Sequence, residues 1–345
     1  MATNQHLTTA EPDLLPAGDV ECWTLAEGQP PLFITARDGA FASIDDAVAW
    51  VAAHRAALDA LIARHGGIVL RGFPVVTSED FGAVSACFPA YTGGYQGGAA
   101  ARRPVAKGVY EATQRTGDQP IPIHQEMFYL RDYPRRIAFF AKKVAEQGGE
   151  TLIADMRQIT RALPASIHDR LESLGIQNVR NFAARTGKSE ENRHMDKRGW
   201  DFAFYTDSRD EVEEICRRRH MRPHWHDDDS LTVFNVEDAF VTHRESGERI
   251  YRGGVHLAHF YRGSYDNTGM AAKLRTEQTY PSGAYLGDGN ELSPEEDAEL
   301  CKIVDRFTYA WPWRDGDIMI LDNLTTGHGR NPFSGTRATE VSLLD

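Results

Sequence analysis

His124 and Glu126 stand two residues apart in the run Ile121-Pro122-Ile123-His124-Gln125-Glu126-Met127-Phe128-Tyr129, and a second histidine, His328, lies far downstream in Thr326-Gly327-His328-Gly329-Arg330. On a strand or at a strand end, residues i and i+2 project to the same side, so an imidazole and a carboxylate at this spacing can grip one ion. A distant histidine can complete the face. Two neutral imidazoles and one carboxylate leave three positions open in an octahedral field, as non-heme Fe(II) requires to hold a chelating co-substrate and O2 together. The His-x-Glu pair alone is a weak signal, because such spacings arise often by chance.

Further residues add to it. Arg337 follows His328 in Phe333-Ser334-Gly335-Thr336-Arg337, and Thr151 lies between the two histidine segments in Gly148-Gly149-Glu150-Thr151-Leu152. A guanidinium fork binds a carboxylate through two parallel hydrogen bonds, and a threonine hydroxyl supplies a third, which suits the far end of a 2-oxo diacid. With these residues in place the chain resembles the TauD/TfdA family of Fe(II)/2-oxoglutarate-dependent dioxygenases, in the branch of clavaminate synthase and the SyrP-like amino-acid hydroxylases. The resemblance runs from about Gly66 to the C-terminus. Its landmarks are Gly67-Ile68-Val69-Leu70-Arg71-Gly72-Phe73, Val109-Tyr110, the His-x-Glu segment, Gly148-Gly149-Glu150-Thr151, and His328 with Arg337.

The resemblance implies a double-stranded β-helix, or jelly-roll, core that is mainly β with helical decorations. It also implies that His124, Glu126 and His328 bind Fe(II), and that Arg337 and Thr151 bind the remote carboxylate of 2-oxoglutarate. The implied reaction uses O2, releases succinate and CO2, and most often hydroxylates an unactivated C–H bond. The implied substrate is an amino acid or amino-acid derivative, free or tethered to a peptidyl carrier protein. Desaturation, epoxidation and cyclisation are rival outcomes of the same oxidant, and a non-catalytic jelly-roll binding protein is a rival of another class. Halogenation is disfavoured because chloride needs the iron position that Glu126 takes. Two departures from the pattern bear on substrate. Several relatives carry an arginine four residues after the co-substrate arginine, where this chain has Val341, and Ser246 to Gly254 lacks the Phe-Asn-Gln segment of SyrP-like relatives.

Composition narrows the partners. A net charge of -12 over 345 residues disfavours nucleic acid and anionic membranes, leaving a small-molecule substrate. The four cysteines, Cys22, Cys87, Cys216 and Cys301, are too scattered for a zinc ribbon or a disulfide framework and read as buried thiols. Residues 1–20 read as a flexible end without the basic start and apolar core of a secretory signal, and residues 21–345 as one dioxygenase domain. No window has the apolar length of a membrane span, so the expected location is cytoplasmic.

The elements that must position these residues are partly readable. Apolar spacing from Ser43 to His65 predicts one amphipathic helix ending at Gly66-Gly67, then a buried strand Ile68 to Leu70, then a helix capped at Ser78. Tyr91 to Lys107, rich in glycine and arginine, reads as a long mobile loop able to close over substrate. Arg136 to Ala141 and Thr151 to Ala154 read as core strands about the Gly148-Gly149 turn, followed by a helix from Asp155 through Leu163-Pro164. Asp201 to Tyr205, Leu231 to Asn235, Ala239 to His243 and Ile250 to Tyr251 are shorter strand candidates. Ser293-Pro294 opens a capped helix, and Asp317 to Asn323 is the strand expected to deliver His328.

Substrate contacts are sought at Gln96, Arg102 and Arg103 in the glycine-rich loop and at Tyr110 and Glu111 beside it; arginines suit a carboxylate and Glu111 suits an amine. His224-Trp225-His226-Asp227-Asp228-Asp229 resembles a metal site in composition but reads as a solvated acidic turn before a strand. His256 and His259 read as packed or substrate-facing, and Arg217-Arg218-Arg219-His220 as a helix face.

Overall fold

The computed structural model describes residues 7–8, 14–94, 103–112, 116–185, 199–257, 260 and 281–345. The strand Arg136–Lys143 shows how the architecture is built. Its apolar residues run almost without interruption because both faces are covered. Ile137 and Phe139 point into one cluster with Met319, Leu321, Val341 and Ile153, while Ala138 and Phe140 point into another with Ile68, Leu70, Ile318 and Ile320. The strand belongs to a nine-stranded sheet, flanked by Ile318–Asp322 on one side and Ala338–Leu344 on the other, both antiparallel to it. Beyond Ile318–Asp322 come Gly67–Arg71 and then Leu32–Ala36, the latter pair parallel.

The outer face of this sheet is covered by the helices Ile44–Ala53, Arg55–His65 and Ser78–Ser85, which bury Trp50, Leu58, Leu61, Ile62 and Phe81 there. The expected single helix from Ser43 to His65 is two. Its opening is a capping box in which Ser43 and Asp46 bond each other's backbone, and the break falls at His54, whose ring Nδ1 takes the Trp50 carbonyl as partner at 2.8 Å. The third helix is capped by Thr77 with Asp80, whereas Ser78 lies inside it and donates to Glu340 at 2.7 Å.

The inner face meets a smaller sheet in the order Thr308–Tyr309, Thr151–Asp155, Thr326–Arg330, Ile121–His124. Two facing sheets with helices outside make this a mainly β jelly-roll with helical decorations, as the resemblance implied. The strands expected on either side of the Gly148-Gly149 turn therefore lie in different sheets. Likewise Ile318–Asp322 ends before His328, which sits on the next strand, in the other sheet. A third sheet, Arg222–Trp225, Leu231–Glu237, Ile176–Phe182, Ser282–Leu286, packs beside them.

Other expectations are corrected. Residues Trp200–Phe204 form a helix, not a strand, because Trp200, Ala203 and Phe204 are buried together at helical spacing. The helix after Asp155 stops at Ala162 and a second begins at Ala165, with Leu163 and Pro164 extended between them. Within Tyr91 to Lys107, Pro104–Ala106 is an edge strand paired with Val109–Glu111, and the Tyr91 hydroxyl donates to the Asp132 carbonyl at 3.1 Å; residues 95–102 lie outside the described residues. Of the cysteines, only Cys216 is buried; the others are half-buried, and none of the four forms a disulfide among the described residues. Among the described residues no helix is long and apolar enough to cross a membrane.

Candidate active site

His124 is the last residue of its strand, and its register partner on Thr326–Arg330 is His328. Directly paired residues share a sheet face, so the two rings meet on the inner side, with centroids 4.4 Å apart. Glu126 follows after Gln125, and its Oε2 lies 3.7 Å from His328 Nε2. One ligand atom from each of His124, Glu126 and His328 falls within 4.8 Å of the others. Phe139 of the large sheet stands edge-on to the His328 ring at 5.0 Å, which places the cluster between the sheets.

His124 Nδ1 lies 2.9 Å from the Pro122 carbonyl. A carbonyl only accepts, so the proton is on Nδ1 and Nε2 carries the lone pair, the arrangement typical of metal-bound imidazole. The donor set of two imidazoles and a carboxylate fits Fe(II).

The strand Thr151–Asp155 runs alongside, with Ile153 opposite His328 and Thr151 opposite Arg330. Thr151 therefore faces the same interior, one step nearer the Arg337 end. Arg337 donates from Nε to the Gly149 carbonyl at 3.0 Å and from Nη2 to Thr151 Oγ1 at 3.4 Å. Burial, and then the neighbouring Arg330 cation, lower its pKa to about 10. Among the described residues no carboxylate pairs with Arg337. A half-buried cation with a hydroxyl beside it and a second cation near is a ready seat for a carboxylate. A cavity of about 190 Å³ lies against it, lined by Ala141, Gly149, Glu150, Trp313 and Thr339.

The other candidates fall elsewhere. Tyr110 faces the interior, paired with Val341 and packed against the cluster that holds Phe139. Arg103 and Glu111 pair with each other at 3.4 Å, with the Arg103 side chain 76% exposed. Gln96, Arg102 and His259 lie outside the described residues. His256 is a packed core histidine, with Nε2 2.9 Å from the Ile123 carbonyl. His224 and Trp225 end a strand and the acidic residues after them form a turn: Asp228 accepts from Ser230 and Asp229 pairs with Arg209.

Sequence reasoning missed the cluster of His243, Glu245 and Asp322, whose ligand-type atoms also lie close together. Here both ring nitrogens are engaged, Nε2 with Asp322 at 3.0 Å and Nδ1 with Ser246 at 2.9 Å. Asp322 Oδ1 also accepts from the Leu324 and Thr325 backbone and from the Thr325 hydroxyl. The group locks a turn through hydrogen bonds, and is an ion pair where His243 is protonated. Its hydrogen bond to Asp322 raises the His243 pKa, and Asp322 stays low despite burial because His243 donates to it.

Residues 34–343 match the taurine catabolism dioxygenase TauD, TfdA family, and the chain belongs to that family, whose members are Fe(II)/2-oxoglutarate-dependent oxygenases. The chain is 26% identical over 321 residues to the dapdiamide synthesis protein DdaC of Enterobacter agglomerans, with 93% of each chain covered. It is 28% identical over 290 residues to a clavaminate synthase-like protein of Arabidopsis thaliana, with 83% of each covered. Its fold is similar to that of PvcB, an Fe, alpha-ketoglutarate dependent oxygenase from an isonitrile synthetic pathway, with a TM-score of 0.53 at 16% identity, covering 98% of this chain and 95% of that one. The protein is thus an oxidoreductase that uses iron, 2-oxoglutarate and O2.

Proposed function

We propose that this enzyme hydroxylates an unactivated C–H bond of an amino acid or amino-acid derivative, free or carried on a peptidyl carrier protein, in the biosynthesis of a specialised small molecule. The observation that carries the reading is the convergence of His124, Glu126 and His328 beside a cation that pairs with no carboxylate among the described residues. The dapdiamide synthesis role of a relative similar over nearly its whole length supports the biosynthetic setting.

In this reading His124, Glu126 and His328 hold the iron, with His124 bonding through Nε2 because Nδ1 is committed to Pro122. Bound Fe(II) with 2-oxoglutarate and O2 supplies an oxidant able to remove a hydrogen atom from carbon. Arg337 and Thr151 seize the far carboxylate of 2-oxoglutarate and so orient its other end toward the three ligands. Phe139, Ile153 and Val341 keep the space between the sheets apolar, which shields the reacting centre from water. The substrate meets an interior without an arginine at 341, so its anionic group, where it has one, is held by another element.

The test is a succinate-release screen with amino acids and carrier-loaded aminoacyl thioesters, with products identified by mass spectrometry. A product heavier by one oxygen is expected from one of these, and His124→Ala, Glu126→Ala and His328→Ala should each abolish it while weakening Fe(II) binding. A variant with wild-type turnover removes that residue from the site. Succinate release coupled to no amino compound in either set overturns the substrate class.

A further inference from the structure

The segment that carries Glu126 poses a structural problem of its own. Gln125 to Leu130 is neither helix nor strand, yet it is almost entirely buried, and Met127 holds a left-handed φ of 55°. Buried backbone groups outside repeating structure need partners from elsewhere. They find them on side chains. Arg252 donates to the Met127 carbonyl at 3.2 Å and also to that of Leu130, and Asn235 donates to that of Tyr129 at 3.1 Å.

The backbone of Glu126 is held by Asn323. Asn323, fully buried, accepts from the Glu126 N–H through Oδ1 at 2.7 Å. Its Nδ2 donates to the Glu126 carbonyl at 3.0 Å and to the Pro134 carbonyl at 2.8 Å. One amide thus engages both backbone groups of Glu126, as a neighbouring strand would. A second clasp lies beside it, where Gln125 Nε2 donates to the Leu324 carbonyl at 2.7 Å. Asn323 and Leu324 belong to the turn that Asp322 locks, and that turn leads directly into the strand bearing His328.

We infer that Asn323 is a positioning residue for the metal site, clasping Glu126 to the same short turn that leads to His328 so that the carboxylate and imidazole move as one unit. This rests on the assignment of Glu126 and His328 as ligands. Strand pairing fixes His124 against His328, but Glu126 lies beyond the end of that strand, and the clasp carries the connection on to it. The side chain has the chemistry the role demands: an acceptor and two donors in one plane, all three used.

The test compares Asn323→Asp with Thr326→Val in the full-length protein. Aspartate keeps the size and the acceptor for the Glu126 N–H but loses both donors. Thr326 is equally buried and on the same turn-strand unit, yet its hydroxyl donates to the Gly66 carbonyl, at 2.8 Å, rather than to the Glu126 segment. Mn(II) affinity is read by electron paramagnetic resonance, the Co(II) ligand field by visible absorption, and folding by circular dichroism and thermal midpoint. Loss of a residue supporting a metal ligand typically weakens metal binding about 10- to 100-fold. Asn323→Asp should fall in that range with an altered Co(II) spectrum, and Thr326→Val should keep wild-type affinity and spectrum. If Asn323→Asp does not fold, Gln125→Met, which removes the second clasp, should weaken Mn(II) binding in the same direction. Wild-type Mn(II) affinity in a folded Asn323→Asp, or in Gln125→Met where that variant stands in, overturns the inference, as does an equal loss in Thr326→Val. A wild-type protein that binds no Mn(II) overturns the ligand assignment instead.

Discussion

At the scale of single residues the site is a matter of which atoms are already committed. His124 has spent Nδ1 on Pro122, and Arg337 has spent Nε on Gly149 and one Nη2 contact on Thr151, leaving donors for a ligand. Lysine at 337 would keep the charge and lose the planar fork. A charge-assisted hydrogen bond is worth about 1.5 to 3 kcal/mol, and about 1.4 kcal/mol is tenfold in binding. Arg337→Lys should therefore raise the apparent KM for 2-oxoglutarate roughly ten- to hundredfold with Mn(II) affinity nearly unchanged. Titration of N-oxalylglycine into the Mn(II)-loaded variant measures this, and an unchanged affinity would assign the carboxylate to another cation, such as Arg330, whose charge acts on Arg337.

At the scale of elements, the Gly148-Gly149 turn matters as much as the strand it precedes. Gly148 has a φ of 67°, and a Cβ there would lie 2.2 Å from the Pro332 carbonyl oxygen. Both facts demand glycine. The turn pairs with Phe333–Ser334, and the next residue, Gly149, supplies the carbonyl that Arg337 grips. Gly148→Ala should push this short ladder apart and carry the guanidinium away from Thr151. The expected outcome is weaker 2-oxoglutarate binding together with a lower thermal midpoint, with Mn(II) binding largely preserved because the His124–His328 pairing lies further along the sheet. A loss of Mn(II) binding equal to that of 2-oxoglutarate would show that the turn supports the sheet as a whole. Gly66 marks a similar close approach: it ends its helix with a φ of 75°, and a Cβ there would meet Thr326 Oγ1 at 2.5 Å.

At the scale of the whole molecule, the His243–Asp322 pair ties the hairpin of Phe240–Thr242 and Arg249–Tyr251 to the end of a core strand. The sign of its pH dependence follows from the two shifts. His243 has its pKa raised above the ordinary 6.5, so its contribution is complete below that value and disappears as pH rises through the folded pKa. Asp322 is lowered below the ordinary 3.8, so its contribution is present above that value and is lost as pH falls through the folded pKa. The pair stabilises most between those limits. Thermal midpoints taken across the range should decline above pH 6.5 in the wild type, and His243→Gln should flatten that limb. An alkaline limb of the same steepness in His243→Gln would assign the dependence to other groups.

What the chain determined by itself was local and chemical. The types and spacing of His124, Glu126, His328, Arg337 and Thr151 named a chemistry, and the capping boxes at Ser43 and Ser293 marked two helix starts, because these signals act over a few residues. The strand at Ile176–Phe182 went unread since its residues alternate poorly and are buried on both faces, and Trp200–Phe204 was misread because a five-residue segment is too short to show a distinct period. Only the tertiary structure decided the rest. It set the two strands flanking Gly148-Gly149 in opposite sheets, put Arg330 opposite Thr151, and brought Asn323 against Glu126 from 197 residues away. No sequence rule reaches that distance: an asparagine after a strand is a turn signal locally, and becomes a clasp only when packing of the two sheets delivers the Glu126 peptide to it.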